Sequence, residues 1–293
     1  MVNFKVNIDK LYSMMDKCNI CPKNCGVNRN RGQQGLCKTA DKIFVASINV
    51  HTGEEPPISA KCGSGTIFFS NCTLNCVFCQ NYPISQLGNG KEISLESLVG
   101  SMLDLQKRGV HNINFVTPTH YSAQIAKAVH TAKEKGFNLP VVYNCSGYEN
   151  VETLKLLEGI VDIYLPDIKY ADNEIALKYS KVNNYVRINQ LALKEMKRQV
   201  GDLEVDKNTI AKRGIIVRHL VLPGNINNTK NVLEFIAKDL STNTYVTLMS
   251  QYHTAYRSND FKELSHSLTL QEYQEAVSYL EVLKLKNGWI QDL

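Results

Sequence analysis

Three cysteines lie close together in the sequence, directly after an apolar run. Cys72, Cys76 and Cys79 have a C-x3-C-x2-C spacing and follow residues 65–71. Soft thiolates select zinc or iron–sulfur clusters. Because a cubane 4Fe–4S cluster has four irons, three cysteines leave one iron open to an external ligand. The spacing therefore predicts an open iron–sulfur site, with a small zinc site or buried apolar thiols as the alternatives.

A second group of cysteines lies nearer the amino terminus. Cys18, Cys21, Cys25 and Cys37 have a C-x2-C-x3-C-x11-C spacing and supply four thiolates, a closed set. Such a set suits structural zinc, or an auxiliary iron–sulfur or single-iron centre. The surrounding sequence has little apolar periodicity, so a metal would have to help fold it. We expect residues 1–60 to form a small Cys-rich appendage that binds zinc or iron.

Composition restricts the classes of protein to which the chain can belong. Its 293 residues are 43% apolar and 21% charged, which is enough to bury a core and too apolar for intrinsic disorder. The net charge of +5 is spread along the chain, which argues against a nucleic-acid partner. No signal peptide and no run of roughly 20 apolar residues can be recognised. We therefore expect a cytoplasmic protein without a membrane partner.

Apolar runs alternate with segments of helical period from about residue 65 onward. The six runs are residues 65–71, 112–117, 139–145, 161–166, 214–222 and 244–249. The helical segments are residues 94–108, 121–135, 149–158, 229–240 and 270–286. This pattern predicts an α/β fold, a partial and open (β/α)6 TIM-like barrel over residues 61–293, with a doubly wound sheet as the alternative. In such a barrel the loop that carries Cys72 lies at the mouth, where these folds place their chemistry.

Several segments together resemble a known family. They are residues 53–59 (GEEPPIS), 68–82 (FFSNCTLNCVFCQNY), 116–121 (VTPTHY), 143–148 (YNCSGY), 162–170 (DIYLPDIKY) and 217–224 (VRHLVLPG). They resemble the radical S-adenosylmethionine (SAM) superfamily, and more narrowly its uncharacterised branch related to pyruvate formate-lyase activating enzymes. The aromatic Phe78 inside the last gap of the Cys motif is part of this resemblance.

The resemblance implies a chemistry. SAM would chelate the open iron of a 4Fe–4S cluster through its amino and carboxylate groups, and reduction would cleave it to methionine and a 5'-deoxyadenosyl radical. The radical would abstract hydrogen from a substrate, either a glycyl radical enzyme or another peptide, which makes the chain an oxidoreductase of the activating-enzyme type. Reduced flavodoxin or ferredoxin would supply the electron. The alternative from another class is a zinc-binding module that contacts a protein or nucleic-acid partner.

The resemblance also implies residues that bind the cofactor, although it assigns no catalytic residue. They are Phe78, Thr119, Asn144, Ser146, Asp167, Lys169 and Arg218. The superfamily usually has Gly-Gly-Glu where this chain has residues 117–120 (TPTH), so hydroxyl or carbonyl oxygens of Thr117 and Thr119 would replace a carboxylate, with a helix N-cap as the alternative role of Thr119. Arg218 and His219 are adjacent on a strand and must point to opposite faces, so we expect one of them in the lumen.

Overall fold

The structure is a computed structural model that describes residues 4–293. Within these residues, ten strands join one sheet: β1 (Ile43–His51), β2 (Ser64–Phe69), β3 (Lys91–Ile93), β4 (Ile113–Val116), β5 (Val141–Cys145), β6 (Ile163–Pro166), β7 (Glu204–Val205), β8 (Ala211–Leu220), β9 (Tyr245–Met249) and β10 (Gly288–Ile290). The helices are α1 (Phe4–Ser13), α2 (Pro56–Ser59), α3 (Tyr82–Ser85), α4 (Leu95–Lys107), α5 (Ser122–Glu134), α6 (Val151–Leu156), α7 (Asn173–Ser180), α8 (Tyr185–Val200), α9 (Ile226–Phe235) and α10 (Leu270–Val282).

The sheet is parallel through its middle. Its order is β10-β9-β8-β6-β5-β4-β2-β1-β3, and every neighbouring pair from β2 to β10 is parallel. At the other edge β1 runs antiparallel to both β2 and β3. All six predicted strands are present, and the partial barrel with helices on its outer face is confirmed. The loops that follow the parallel strands therefore meet at one mouth.

The two faces of the strands have different neighbours. Tyr143 and Tyr164 belong to the large core between the sheet and the helices. Val142 and Ile163 instead point into the barrel, where they contact Ile58 of α2 in a separate apolar cluster. Alternate residues of a strand point to opposite faces, which explains this division. The short helix α2 thus closes the lumen at the amino ends of the strands.

The helices between the strands start with recognisable caps. The Ser94 hydroxyl accepts a hydrogen bond from the Ser97 amide at the start of α4. Asp172 caps α7 in the same way, and Thr269 and Glu272 form a reciprocal capping box on α10. Such caps satisfy the first free N–H groups of a helix. No helix within residues 4–293 is long and apolar enough to span a membrane.

The amino-terminal segment is joined to the barrel. We expected an appendage over residues 1–60, of which residues 1–3 lie outside the described part. In the structure β1 pairs with β2 from Val45 to His51, and α1 packs against α5 and α6. The sheet therefore continues across the expected boundary at residue 60. The loop-like part between α1 and β1, which holds the four amino-terminal cysteines, fits the expected character.

Candidate active site

The three-cysteine loop begins where β2 ends. Asn71 has a φ of +68°, a left-handed conformation that turns the chain sharply out of the strand before Cys72. The thiols receive polar contacts: the Leu74 amide lies 3.4 Å from the Cys72 sulfur, and the Ser180 hydroxyl donates to the Cys76 sulfur at 3.0 Å. Donors of this kind stabilise thiolates and the sulfurs of iron–sulfur clusters.

The electrostatics of the loop indicate that the three thiols share one space. Burial raises the pKa of Cys72, and the neighbouring Cys76 and Cys79 raise it further. Burial also raises the pKa of Cys76 to about 11, against the opposing effect of the Lys169 ammonium. Within residues 4–293, no three His, Cys, Asp or Glu side chains converge on a single metal ion. Three soft donors that share one space fit a soft metal or an iron–sulfur cluster.

A largely buried charge network, whose charged side chains are 15–18% exposed, occupies the carboxyl ends of β6 and β8. The Lys169 ammonium lies 2.6 Å from Asp167 Oδ2, and Arg218 Nε donates to Asp167 Oδ1 at 2.9 Å. Arg218 Nη2 also donates to Asn144 Oδ1 at 2.6 Å. Burial disfavours the charge of Asp167, but Arg218 and Lys169 hold the pKa of its carboxyl below the ordinary value. The structure thus brings four of the predicted residues together at the mouth.

Two carboxylates that the sequence analysis did not assign complete this network. Glu54 Oε2 and Glu55 Oε1 lie 3.8 and 3.9 Å from Arg218 nitrogens, and both side chains are buried. They stand between β1 and α2, inside the barrel. Burial raises the pKa of Glu55 to about 7. The adjacent pair before two prolines was a signal in the sequence, but nothing there showed that the segment enters the lumen.

The turn after β5 approaches β6 closely. Gly147 has a φ of +70°, and a Cβ at this position would lie 2.2 Å from the Asp167 carbonyl oxygen. Only glycine fits both the conformation and the space. The Tyr185 hydroxyl, from α8, donates to the Ser146 carbonyl at 3.2 Å and accepts from the Lys169 amide at 2.9 Å. The Ser146 hydroxyl is buried and has no hydrogen-bond partner among residues 4–293, so it is free to bind a ligand.

Thr119 is directed toward a third buried carboxylate. Its hydroxyl donates to Glu149 Oε1 at 2.6 Å, and Tyr143 donates to the other oxygen at 3.3 Å. Burial raises the pKa of Glu149 to about 8. The sequence analysis missed Glu149, which follows the motif of residues 143–148. The Thr119 hydroxyl is thus engaged within the protein, and the Thr119 carbonyl accepts from the Ser122 hydroxyl at 2.8 Å.

The remaining predicted residues have clear positions. Phe78 is buried in the apolar cluster around the Cys loop, with its ring centroid 6.4 Å from that of Tyr252. Arg218 enters the lumen, while the His219 ring contacts the Ile168 carbonyl at 2.6 Å and the Thr229 hydroxyl at 3.0 Å in the core. Burial lowers the pKa of His219 to about 4, so it is neutral.

The four amino-terminal cysteines also lie near one another. Burial raises the pKa of Cys21 to about 12, with further contributions from Cys37 and Cys18. A Cβ at Gly35 would lie 3.1 Å from the Cys25 sulfur and 3.6 Å from the Cys37 sulfur, so these two thiols pack closely around this glycine. The four thiols therefore lie close to one another, although within residues 4–293 of this structure they do not converge on a single metal ion.

Comparison with known proteins agrees with this geometry. A sequence model of the radical SAM superfamily matches residues 66–236, which is more than half of the chain. The chain belongs to the radical SAM superfamily. The cofactors of this radical SAM protein are accordingly a 4Fe–4S cluster and SAM. The matched region contains the Cys loop, the Asp167 network and Arg218.

Two relatives of this radical SAM protein are uncharacterized proteins of Methanocaldococcus jannaschii. MJ0674 is 31% identical over 97% of this chain and 80% of its own length. MJ0808 is 23% identical over 90% of this chain and 80% of its own length. Both alignments extend well beyond the superfamily domain, so the amino-terminal segment and the carboxyl-terminal strands belong to the shared architecture.

Solved structures show the same fold at low sequence identity. The FeFe-hydrogenase maturase HydG of Carboxydothermus hydrogenoformans has a TM-score of 0.52 and 12% identity, over 78% of this chain and 52% of that one. SuiB of Streptococcus suis, solved with bound S-adenosylmethionine, has a TM-score of 0.53 and 11% identity, over 76% and 48%. The chain therefore spans about half the length of these two structures.

Proposed function

We propose that this protein is a radical SAM enzyme in which Cys72, Cys76 and Cys79 hold the 4Fe–4S cluster and the barrel lumen holds SAM and substrate. When bound, the reduced cluster and SAM supply reductive cleavage of the sulfonium and hydrogen abstraction from the substrate. The single observation that carries the proposal is the position of three interacting thiols at the carboxyl end of β2, facing a mouth lined by buried charges.

The residues around the loop hold the thiolates. Ser180 donates to Cys76, and the Ser85 hydroxyl lies 3.1 Å from the Cys79 sulfur. The Lys169 ammonium adds positive charge near Cys76 and favours its ionised form. These contacts stabilise the negative charge that ligation requires.

The charge network at the mouth would orient SAM. The amino-acid part of SAM carries an ammonium and a carboxylate, and the cluster of Asp167, Lys169, Arg218 and Asn144 presents both signs of charge in a buried space. The free Ser146 hydroxyl adds a neutral donor. Charged hydrogen bonds in such a dry setting hold a ligand in a defined orientation.

Aromatic side chains would keep water away from the reaction. Phe78 and Leu74 pack with Tyr252 and Tyr170 around the Cys loop in one buried cluster. Exclusion of water prevents a reactive intermediate from being quenched. Phe78 would cover the cluster or contact the adenine of SAM.

An acidic electron donor, such as reduced flavodoxin or ferredoxin, is supported by the surface beside the cluster loop. A cavity of about 230 Å³ there is lined by both Cys37 and Cys72 and has Lys23, Lys38 and Lys181 at its rim. The three ammonium groups would attract a negatively charged protein. For the substrate, a glycyl radical enzyme or another peptide is the proposal that follows from the family resemblance.

Cys18, Cys21, Cys25 and Cys37 are proposed to bind a second metal, either zinc or iron. The clustering of their thiols, two of which pack around Gly35, supports this. A module in which both Cys groups hold zinc is not favoured, because the three-cysteine loop lies in the superfamily domain.

The proposed function is tested by anaerobic reconstitution with iron and sulfide, reduction with dithionite and addition of SAM. We expect brown protein that releases 5'-deoxyadenosine and methionine. The matched control is Cys62→Ala, because Cys62 is exposed and belongs to neither cysteine group. Protein with a full cluster that never cleaves SAM would contradict the proposal.

A further inference from the structure

The open side of the barrel contains a polar cavity. Its volume is about 280 Å³, and it lies between the β1–β2 edge, represented by His51, and the β9–β10 edge, represented by Trp289. Glu54, Glu55 and Arg218 line its inner wall. Small-molecule sites begin at about 300 Å³, so the cavity suits a single amino-acid-sized group.

The charges that line this cavity do not balance. Arg218 makes its hydrogen bonds with Asp167 and Asn144. Its distances of 3.8 and 3.9 Å to Glu54 and Glu55 are too long for hydrogen bonds. With Lys169 also paired to Asp167, three carboxylates share two cations. When Glu54 and Glu55 are both ionised, the network carries one surplus negative charge beside the cavity.

Several buried polar atoms of the lumen lack partners. Glu55 is only 3% exposed, yet its Oε2 has no hydrogen-bond partner among residues 4–293. Neither polar atom of the Asn114 side chain, which lies beside Glu54, reaches one either, and the Thr247 hydroxyl has none in this part of the chain. Thr247 pairs with Arg218 across β8 and β9, so it points into the lumen. An unpaired buried acceptor is costly, and a ligand that donates hydrogen bonds would remove this cost.

The position of these residues points to the substrate rather than to SAM. SAM is common to the superfamily, and its binding residues are expected within the shared domain of residues 66–236. Glu54 and Glu55 lie before that domain, and Trp289 lies after it. Residues outside the common domain are the ones expected to recognise what is particular to this enzyme.

We propose that Glu54 and Glu55 bind a compact organic cation, a primary ammonium or guanidinium group, on the substrate of this enzyme. This assignment rests on the proposed function. An anion is disfavoured on this side of Arg218 because three carboxylates surround its guanidinium. The cation belongs either to a free amine or to a lysine or arginine side chain of a peptide.

The proposal is tested by anaerobic calorimetry on the reconstituted enzyme with SAM present. The probes are agmatine for a free cation and N-acetyl-lysine methylamide for a peptide side chain. The neutral comparison is N-acetyl-norleucine methylamide. We expect a cationic probe to bind more than about tenfold tighter than the neutral one. Glu55→Gln should weaken that binding by about tenfold or more, whereas Glu55→Asp and the exposed control Glu281→Gln should retain it.

SAM affinity and SAM cleavage, measured in parallel, separate the outcomes. We expect Glu55→Gln to change the Kd for SAM by less than about threefold. Equal binding of charged and neutral probes by the unaltered enzyme would overturn the proposal even if the variants fail to fold. Parallel loss of SAM affinity in Glu55→Gln would also overturn it, because the carboxylates would then hold the cofactor. Cation binding without any SAM cleavage would refute the proposed function alone.

Discussion

The two cysteine groups of this protein differ in what surrounds them. The three-cysteine loop opens on a lumen lined by Asp167, Lys169 and Arg218, side chains with buried charges. In the four-cysteine segment, Gly35 lies against the sulfurs of Cys25 and Cys37. The short loop there is held by backbone hydrogen bonds, such as the one from the Cys18 N–H to the Val27 carbonyl. The first set leaves a place for a ligand, and the second uses four thiols in a closed arrangement.

On the proposed assignments, the number of thiols and their surroundings together distinguish the reactive site from the structural one. A site that does chemistry needs an open position and charged groups to orient a substrate. A site that only folds a segment needs a complete ligand set. The Lys23 ammonium is influenced by Cys21 on one side and by Cys72 and Cys76 on the other, so the two groups are close neighbours. Variants can therefore test whether they are independent.

The largest expected effect is from Cys76→Ala. Removal of one of three ligands should eliminate the 4Fe–4S cluster and all SAM cleavage, because the remaining two thiols cannot hold a cubane. The metal at the amino-terminal group should remain at its original stoichiometry. Metal analysis and 5'-deoxyadenosine assays measure both. Loss of both metals together would show that the two sites are not independent.

The converse change, Cys21→Ala, should act on folding. Loss of the second metal removes several kcal/mol of folding energy and should lower the Tm by about 5–10 °C. Cluster iron and SAM cleavage at low temperature should persist. Calorimetry together with metal analysis checks this. An unchanged Tm, or a variant that is inactive but stably folded, would contradict the distinction between a four-cysteine group that stabilises the fold and a three-cysteine group that does chemistry.

A smaller effect is expected at the charge network of the lumen. Asp167→Asn leaves two buried cations without their carboxylate, which should cost about 3 kcal/mol and weaken SAM binding. The matched control is Asp202→Asn, which breaks a more exposed pair with Lys197 and should cost less than about 1 kcal/mol. Denaturant titrations measure both. Equal losses of unfolding free energy in the two variants would mean that the charge network around Asp167 is as hydrated as the surface pair.

The smallest expected effect is on the pH dependence of stability. It comes from Glu149, which lies between the two cysteine groups. Its pKa is raised by burial to about 8 in the folded chain, so the folded state binds the proton more tightly than the unfolded state. This contribution to stability is complete below the ordinary glutamate pKa and is lost as the pH rises toward 8. Glu149→Gln should therefore reduce the fall in stability between pH 5 and pH 8. If the free energy of unfolding of Glu149→Gln changed with pH in the same way as that of the unaltered protein, the burial of the Glu149 carboxyl would be contradicted.

The parallel strands were predictable because both of their faces are buried. Residues 141–145, for example, are apolar or buried throughout and carry no polar alternation. The antiparallel β1 was missed since only Ile43 and Val45 are buried and Ser47 and Asn49 are exposed, so it lacks the long buried run of the parallel strands. The helix α8 was missed too, and its start at Asn184 has positive φ and lacks a side-chain cap.

The site residues were predictable from the sequence where they lie at the ends of parallel strands. Asn144, Asp167 and Arg218 meet because neighbouring parallel strands end at the same edge. Glu54 and Glu55 could not be placed, since a segment between an antiparallel strand and a short helix has no position fixed by strand order. Similarly, no local pattern links Glu149 to Thr119, its partner 30 residues away.

The central claim is that three sulfurs hold a cluster with one iron left for SAM. Electron paramagnetic resonance of the dithionite-reduced protein tests it most directly, with spectra recorded before and after SAM is added. We predict that SAM alters the spectrum of the unaltered protein and of Cys21→Ala alike. A fully loaded cluster whose spectrum does not respond to SAM would show that no iron is open, and would contradict the account.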